Sequence, residues 1–452
     1  MNELENINET IFESIKHVDE DGNEYWYARE LQKVLEYKRW DKFYNVIESA
    51  QVACSISNNN VLYHFSQVGK MIYFDNAATT YPKPPEVIKT MSRATVRYGA
   101  NPGRGGHKMS YLTSEAVYET RKRVAEFFGT DAPENVIFTK NCTEALNIVI
   151  KGLCVPGCRF ICSSLDHNAV IRPLEALRRS GTADYDIAPV GKTDDETAAN
   201  FKRLLRSNTR AVICTGASNV FGERLPTAKL AKLAHENGAL FILDAAQTAG
   251  IVNIDMRRDE IDFLCTAGHK GLYGPMGTGL LVINSGEHLN SLIERGTGSI
   301  SAVLSQPEIY PDRFESGTLN VPGILSLGEG IRFVSNHGVS RIYKSEQGHI
   351  ADIYKALKNI PNVRMYTDPF SSEKSYVPLL SFNVDGLHSE QTAALLANDN
   401  IAVRAGLHCA PSAHKTYGTL REGTVRIAPS IFTKKQDVNL LLTSVVKIAK
   451  NS

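Results

Sequence analysis

The chain has 452 residues, which predicts two or three domains, and its 42% of hydrophobic residues is enough to build packed cores. A net charge of +1 provides no global field for nucleic acid or acidic membranes. No apolar run is long enough to span a bilayer, and the acidic beginning "MNELENINET" differs from a secretory signal, so we expect a cytoplasmic protein without a membrane anchor.

The first part of the chain differs in composition from the rest. Both tryptophans, Trp26 and Trp40, lie before residue 71, which predicts a separate module over about residues 1–70. Its apolar residues are spaced for two short amphipathic helices, at Leu31, Val34, Leu35, Phe43, Val46 and Ile47.

From residue 71 the sequence alternates between helices and short apolar strands. The segment "SYLTSEAVYETRKRVAEFFG" predicts a helix that ends at Gly129. The runs "NVIFT", "RFICSS", "RAVICTG", "ALFILDAA", "DFLCTAG" and "GLLVI" predict buried strands. This pattern is typical of a mostly parallel sheet covered on both faces, and we place this α/β domain over residues 71–330. Residues 331–452 then predict a smaller α+β domain.

Eight cysteines in a large chain without a signal sequence are expected to be reduced thiols. Cys154, Cys158 and Cys162 recur every four residues, which raises the question of a metal site. The segment "CRFICSS" reads better as a buried strand, in which cysteine packs well, and no CxxC pair is present. We therefore expect no metal.

Polar residues follow several predicted strands, and in open α/β sheets ligands bind at those strand ends. They are Asn219, Asp244, Gln247, Thr266, His269 and Lys270. A helix also begins after "NVIFT", so the backbone N–H groups near Cys142 and Thr143 are placed to hold a phosphate. A phosphate cradle, a carboxylate and an amine, in this order along the chain, fit pyridoxal phosphate. Lys270 is then the Schiff-base lysine, and Asp244 lies at the ring nitrogen. We expect the glycines around Lys270 to let the backbone approach the cofactor.

The segment "VRAGLHCAPSAH" places Cys409 in a polar turn near Arg404, His408 and His414. Positive charge beside an accessible thiol lowers its pKa and makes it a nucleophile. The residues alone leave two interpretations open, a reactive nucleophile and an inert loop cysteine.

From about Met71 to the C-terminus the chain resembles the cysteine desulfurases of the class V aminotransferase family, in the branch with the short cysteine loop. The resemblance rests on "YFDNAATTYP", "NPGRGGHKMS", "FTKNCTEALNIVIKGL", "SSLDHNAVIRPL", "SNVFGERLP", "LDAAQTAG", "GHKGLYGPMGTG", "RFESGTLNVPG", "VRAGLHCAP" and "GTVRIAPSIF", which occur in the family's order. It implies the fold type I of pyridoxal-phosphate transferases, with a seven-stranded, mostly parallel sheet.

The resemblance also implies a role for each matched residue. Lys270 carries the cofactor and moves the Cα proton, Asp244 pairs with the pyridine nitrogen, and His167 stacks over the ring. The further cofactor contacts that it implies are Gln247 and Asn219 near the ring hydroxyl, and Thr143, Thr266, His269 and the backbone of Cys142 at the phosphate.

Substrate and partners follow from the same resemblance. Arg426 binds the carboxylate of L-cysteine, with Asn219 and Arg404 beside it, and Cys409 attacks the substrate sulfur. The products are L-alanine and a persulfide on Cys409, which a reductant or an acceptor protein removes, for iron–sulfur cluster assembly or another product. Thr318 reaches the phosphate in the partner subunit, which implies a homodimer.

Two positions depart from the family pattern. Leu407 stands where a second histidine usually precedes the cysteine, and Cys142 stands where threonine is usual. Other reactions of the same cofactor remain open, namely selenocysteine lysis, cysteine-sulfinate cleavage and transamination.

Residues 1–70 resemble the N-terminal part of DNA-damage-inducible protein D, through "IFESIKHVDEDGNEYWYARELQKVLEY" and "HFSQVGKMI". A hypothesis of another class follows, a DNA-linked regulator that uses the cofactor domain as a sensor. Against DNA binding by this module, "DEDGNE" is acidic and the basic residues form no obvious stripe. We expect no nucleic acid as a partner of this chain unless residues 1–70 bind it.

Overall fold

The computed structural model describes residues 13–18, 24–57, 71–103, 106–294 and 303–452. The chain forms two compact units, Met1–Lys70 and Met71–Ser452. Along the chain, the boundary between the units falls where the composition of the sequence changes. The motif "HFSQVGK" lies outside the described residues, as do two residues of "NPGRGGHKMS".

Among the residues that the structure describes in the first unit are a two-stranded antiparallel sheet and two helices. They are β1 (His17–Val18), β2 (Glu24–Tyr25), α1 (Ala28–Val34) and α2 (Trp40–Ile56). The guanidinium of Arg29 lies 3.7 Å from the ring centroid of Trp40 and so links the two helices. The predicted pair of helices is confirmed, and the second is longer than its apolar spacing indicated.

The second unit begins with a short strand and two helices, and then alternates strands with helices. These elements are β3 (Ile72–Tyr73), α3 (Pro85–Arg97), α4 (Lys108–Phe128), β4 (Val136–Thr139), α5 (Cys142–Gly152), β5 (Cys158–Ser163), α6 (Asn168–Arg179), β6 (Ala183–Ala188), α7 (Asp194–Leu204), β7 (Thr209–Thr215), α8 (Thr227–Glu236), β8 (Leu240–Asp244), β9 (Phe263–Ala267) and β10 (Gly279–Ile283). Gly129 ends α4 at φ 72°, as the sequence predicted.

The C-terminal part adds helices and a second sheet. Its elements are α9 (Val321–His337), α10 (Val339–Leu357), β11 (Val363–Met365), β12 (Leu380–Val384), α11 (Ser389–Asn398), β13 (Ile401–Ala402), β14 (Arg404–Gly406), α12 (Pro411–Thr416), β15 (Thr424–Ile427) and α13 (Lys435–Asn451). The second sheet is antiparallel, in the order β11-β12-β15-β14.

The large sheet has seven strands in the order β4-β10-β9-β8-β7-β5-β6. Strands β5 to β9 are parallel, whereas β10 runs antiparallel to both of its neighbours. The predicted α/β fold with a seven-stranded, mostly parallel sheet is confirmed. Because β5, β7, β8 and β9 are parallel, their carboxyl ends meet at one edge, where the candidate site lies.

Both faces of this sheet are covered. Along β8, Phe241 and Leu243 belong to one apolar core and Ile242 to another. Side chains alternate between the faces of a strand, so each face of the sheet packs against its own layer of helices. This explains why the strands read as continuous apolar runs.

A buried ion pair joins α4 to the segment before α9. Arg121 pairs with Glu315, and Glu315 also accepts a hydrogen bond of 2.8 Å from the backbone N–H of Phe138 in β4. Both charged residues are at most 5% exposed. The ion pair is therefore buried from solvent, and it anchors the edge strand β4 through the hydrogen bond to Phe138.

We expect Glu315→Ala to lower the unfolding free energy by about 3–5 kcal/mol, because it leaves the Arg121 charge buried without a partner. The measurement is thermal unfolding followed by circular dichroism. Asp385→Ala is the control, since it breaks the half-exposed pair with Arg364 and should cost about 1 kcal/mol or less. Equal melting temperatures for the two variants would contradict the assignment.

Candidate active site

The predicted site residues come together at the carboxyl edge of the large sheet. Asp244 is the last residue of β8, and Lys270 lies in the turn after β9. His167 precedes the first residue of α6, and Cys142 is the first residue of α5. Four separate chain segments therefore supply the groups that the sequence analysis selected.

Lys270 lines an open pocket together with Gln247 and Glu346. Within the described chain its amine forms no hydrogen bond or ion pair. Burial lowers the pKa of Lys270, and the negative charge of Asp244 partly opposes that shift. A larger fraction of this amine is therefore neutral, and able to act as a nucleophile or base, than of an ordinary lysine.

Asp244 is a buried carboxylate with one oxygen already engaged. Its Oδ1 accepts a backbone hydrogen bond of 3.0 Å from Ala246 and lies 3.4 Å from the thiol of Cys142. Burial raises the pKa of Cys142 well above its usual range, so the thiol keeps its proton and acts as a donor. In the described residues Oδ2 receives no hydrogen bond, which leaves it available to a cationic N–H group.

The tautomer of neutral His167 follows from its surroundings. Its Nδ1 lies 3.0 Å from the backbone N–H of Ala169 and accepts that hydrogen bond, so the proton lies on Nε2. Burial lowers the pKa of His167. A neutral ring is suited to stack on an aromatic ligand.

Two segments supply the residues predicted at the phosphate end, namely the end of β9 with its following turn and the start of α5. The Nδ1 atom of His269 is buried and has no hydrogen-bond partner in the described structure, and burial lowers the pKa of His269 to about 4. Thr266 is buried, while Thr143 is exposed in the first turn of α5. The hydrogen bond from the Glu144 N–H to Asn141, 2.9 Å long, caps that helix, whose N-terminus favours an anion.

Arg426 and Asn219 form a second polar group beside the lysine. One terminal nitrogen of Arg426 lies 2.9 Å from Asp75, and the other donates to the backbone oxygen of Asn219 at 2.7 Å. The Nε atom of Arg426 and the amide oxygen of Asn219 are buried without a partner in the described residues. The Nε N–H of Arg426 can therefore donate to a ligand carboxylate, whereas the amide oxygen of Asn219 can accept from a ligand N–H or O–H group.

The side chain of Gln247 donates a hydrogen bond of 3.0 Å to the backbone oxygen of Ala77. The role predicted for it at the ring hydroxyl stays a prediction.

Cys409 is exposed on a loop between β14 and α12. Its backbone oxygen accepts a hydrogen bond of 2.8 Å from the N–H of Asn168, next to His167. The side chain of Asn219 donates to the backbone oxygen of His408 at 2.7 Å. Both His408 and Cys409 have positive φ, at 48° and 57°, which costs non-glycine residues about 1–3 kcal/mol each. The two hydrogen bonds connect this strained loop to the site.

The histidines beside Cys409 do not supply the positive charge that the sequence analysis expected. His408 is buried, and burial lowers its pKa to about 2 and that of His414 to about 4. The Nε2 of His408 donates to the backbone oxygen of Thr424 at 3.0 Å. Both rings are neutral at pH 7 and pack in the core, so Arg404, exposed on β14, is the cation near this loop in sequence.

The glycines around Lys270 also serve another purpose than the one predicted. A Cβ at Gly271 would lie 2.4 Å from the backbone oxygen of Ala249, and one at Gly268 would lie 2.3 Å from the hydroxyl of Thr278. These positions lack a side chain because neighbouring protein segments pack against them.

Thr318 is exposed and lines an opening at the surface together with Lys140 and Glu144. It makes no contact with Lys270 in the described chain. Its predicted contact with a second subunit stays a prediction.

The sequence analysis missed four residues that hold the site. Asp75 pairs with Arg426. Thr79 and Lys83 donate side-chain hydrogen bonds to the backbone oxygen of His269, and Thr80 donates its backbone N–H to the same oxygen. All four lie in or beside the quoted motif "YFDNAATTYP", so the motif was the available signal, although no residue in it received a role.

The turn is also held from its far side. Tyr273 is fully buried at φ 56°, and its hydroxyl donates to Glu346 at 3.2 Å and accepts from the N–H of Ile431 at 3.3 Å. Burial raises the pKa of Glu346 to about 8, so this carboxyl is mostly neutral at pH 7.

The donor set fits pyridoxal phosphate. A lysine amine of lowered pKa, the carboxylate of Asp244 and the unpaired Nδ1 of His269 match its aldehyde, ring nitrogen and phosphate. In the described residues no group of three His, Cys, Asp or Glu side chains is placed to hold a metal ion. Cys158 and Cys162 lie in the buried strand β5, as interpreted from the sequence.

Comparison with known proteins gives the same picture. The family model for class V aminotransferases matches residues 72–441. A probable cysteine desulfurase of Methanothermobacter thermautotrophicus is 32% identical over 388 residues, which cover 84% of this chain and 94% of that protein. A probable cysteine desulfurase of Pyrococcus abyssi is 31% identical over 395 residues, 84% of this chain and 95% of that protein.

Among solved structures, the apo cysteine desulfurase of Thermococcus onnurineus superimposes with a TM-score of 0.77 at 30% identity. The match covers 85% of this chain and 96% of that one. No helix in the described residues is both long and apolar enough to cross a membrane.

We expect iodoacetamide to modify Cys409 first in the native protein, because Cys409 is exposed while the other cysteines are buried or half-buried. Mass spectrometry of peptides taken over a time course measures the order of modification. In Cys409→Ser the fast phase should vanish and leave slow modification at Cys54 or Cys154. Equally fast modification of Cys142 or Cys265 would show that the site is more open than described.

Proposed function

The chain belongs to the cysteine desulfurases of the class V aminotransferase family, which use pyridoxal 5'-phosphate, and we propose that it converts L-cysteine to L-alanine with a persulfide formed on Cys409. One observation carries the proposed role of Cys409. The exposed thiol lies on a loop whose backbone is hydrogen-bonded to the start of α6, beside His167, and to Asn219. The nucleophile is thereby tied to the walls of the cofactor site.

The bound cofactor supplies an electron sink conjugated to the Cα atom of the substrate. In the proposal Asp244 keeps the pyridine nitrogen protonated through its free Oδ2. His167 covers the ring, and His269, Thr266 and the first turn of α5 hold the phosphate. The lowered pKa of Lys270 lets its amine take the Cα proton near neutral pH.

Arg426 binds the substrate carboxylate in this proposal, with Asn219 and Arg404 beside it. The guanidinium is fixed by Asp75 and by the backbone of Asn219, so it is oriented before the substrate arrives. A guanidinium is suited to a carboxylate because it is positively charged and planar, so it forms charge-assisted hydrogen bonds in a defined direction.

The sulfur step is a transfer from one thiol to another. The thiolate of Cys409 attacks the substrate sulfur, an S–S bond forms, and the C–S bond breaks with its electron pair on the substrate side. Protonation of the carbon that carried the sulfur gives L-alanine, and Cys409 holds the transferred sulfur as a persulfide. A thiol reductant or an acceptor protein then removes this sulfur and restores the thiol.

We also propose a cytoplasmic homodimer. None of the eight cysteines forms a disulfide in the described structure, as expected in a reducing compartment. The exposed position of Thr318 beside the opening lined by Lys140 and Glu144 supports a contact with the phosphate bound in the partner subunit.

We expect Cys409→Ser to reduce alanine formation from L-cysteine by roughly a thousandfold or more, because serine is a far weaker nucleophile toward sulfur. The assay measures alanine released with added cofactor and dithiothreitol. The same variant should still cleave selenocysteine, whose selenium leaves without attack by a thiolate.

Selenocysteine cleavage is the matched control, since it shows that the variant is folded and binds the cofactor. Alanine release from L-cysteine at the wild-type rate would exclude Cys409 as the acceptor. If the wild type makes no alanine, selenocysteine, cysteine sulfinate and amino-group acceptors become the substrates to test.

Light scattering should give a mass twice that of one chain. We expect Thr318→Ala to weaken pyridoxal-phosphate binding about tenfold without changing that mass, because one hydrogen bond to a charged phosphate is lost. Thr443→Ala, an exposed threonine on α13, is the control and should bind normally. A monomeric protein, or unchanged affinity in Thr318→Ala, would contradict this role.

A further inference from the structure

Lys83 lies next to the lysine turn, and its ammonium is partly withdrawn from water. Its Nζ donates to the backbone oxygen of His269 at 2.8 Å and to the hydroxyl of Thr80 at 2.7 Å. Within the described residues it forms no ion pair with a carboxylate.

Thr80 extends this contact to the next peptide. Its hydroxyl oxygen accepts from Lys83, and its proton points to the backbone oxygen of Lys270 at 3.1 Å. The backbone N–H of Thr80 and the hydroxyl of Thr79 add hydrogen bonds of 3.1 Å to the oxygen of His269. The segment Thr79–Lys83 therefore holds two consecutive backbone carbonyl groups, those of His269 and Lys270.

The charge of Lys83 also reaches the predicted phosphate end. Burial lowers the pKa of Lys83 to about 8, so it is mostly protonated at pH 7. Its charge is one cause of the low pKa of His269, after burial and Lys270. An ammonium that is partly withdrawn from water and has no carboxylate partner is costly unless an anion accompanies it. The anion expected at this site is the phosphate of the cofactor.

We propose that Lys83 is a positioning residue, which fixes the His269–Lys270 peptide through Thr80 and provides positive charge for the phosphate of the cofactor. The inference rests on the proposed function, since it assumes that pyridoxal phosphate binds at Lys270. It adds to that function a cation from the segment before α3, outside the set that the sequence analysis assigned to the cofactor.

The test uses the full-length chain purified without added cofactor and titrated with pyridoxal phosphate, followed by absorbance. The variants are Lys83→Met, Thr80→Val and the double variant, with Lys89→Met as control. Lys89 is an exposed lysine of α3 paired with Glu86 at 3.0 Å. Inorganic phosphate serves as a competitor in every titration, and borohydride reduction followed by mass spectrometry shows whether Lys270 is linked.

We expect Lys83→Met to weaken pyridoxal-phosphate binding about tenfold or more, since charge-assisted hydrogen bonds are lost. Phosphate should compete less well in this variant, because the charge that favours it is missing. Lys83 and Thr80 are joined by a hydrogen bond and act together. The loss of cofactor affinity in the double variant should therefore be smaller than the product of the losses in the single variants. Lys89→Met should behave like the wild type.

Unchanged cofactor and phosphate affinity in Lys83→Met would overturn the inference, even if its melting temperature falls, because that is the result of a purely structural role. Fully multiplicative losses in the double variant would also overturn it. Failure of the proposed function looks different, because wild-type protein would then show no borohydride-trapped mass on Lys270.

Discussion

An amine that reacts near neutral pH has to be kept from water and from any carboxylate that would fix its proton. Lys270 meets this constraint in the turn after β9, where burial lowers its pKa and Asp244 only partly opposes the shift. Such a side chain gains little from its own contacts, so the surrounding protein must hold the turn. Tyr273 and Glu346 do so from one side, and the segment Thr79–Lys83 from the other.

The cysteine loop follows the same principle with a different group. His408 and Cys409 both adopt left-handed backbone conformations, which the loop alone would not favour. The backbone N–H of Asn168 and the side-chain amide of Asn219 donate hydrogen bonds to the carbonyl groups of this loop, which offsets that strain and leaves the thiol exposed. The imidazoles of His408 and His414 pack in the core as neutral rings. They therefore contribute to the packing of the loop and add no positive charge to it.

The sequence predicted most strands of the large sheet, because strands covered on both faces form continuous apolar runs. It did not single out β6, an edge strand in which Asp184 and Asp186 interrupt the pattern. Asp244 and Lys270 were found because strand ends can be read along the chain. The packing of Gly271 against Ala249 and the neutral state of His408 could not be found that way, since each depends on residues distant in sequence.

The segment from β3 to Lys83 shows why distance along the chain matters here. Its first strand pairs with β13, Asp75 orients Arg426, and Lys83 binds the backbone oxygen of His269. A segment of little more than ten residues therefore touches both the proposed carboxylate-binding group and the lysine turn. Any shift of this segment changes the spacing between Arg426 and Lys270. In the proposed function that spacing decides whether a substrate held by its carboxylate presents its Cα atom to the amine, so the segment before α3 contributes to the proposed active site as much as the strand ends do.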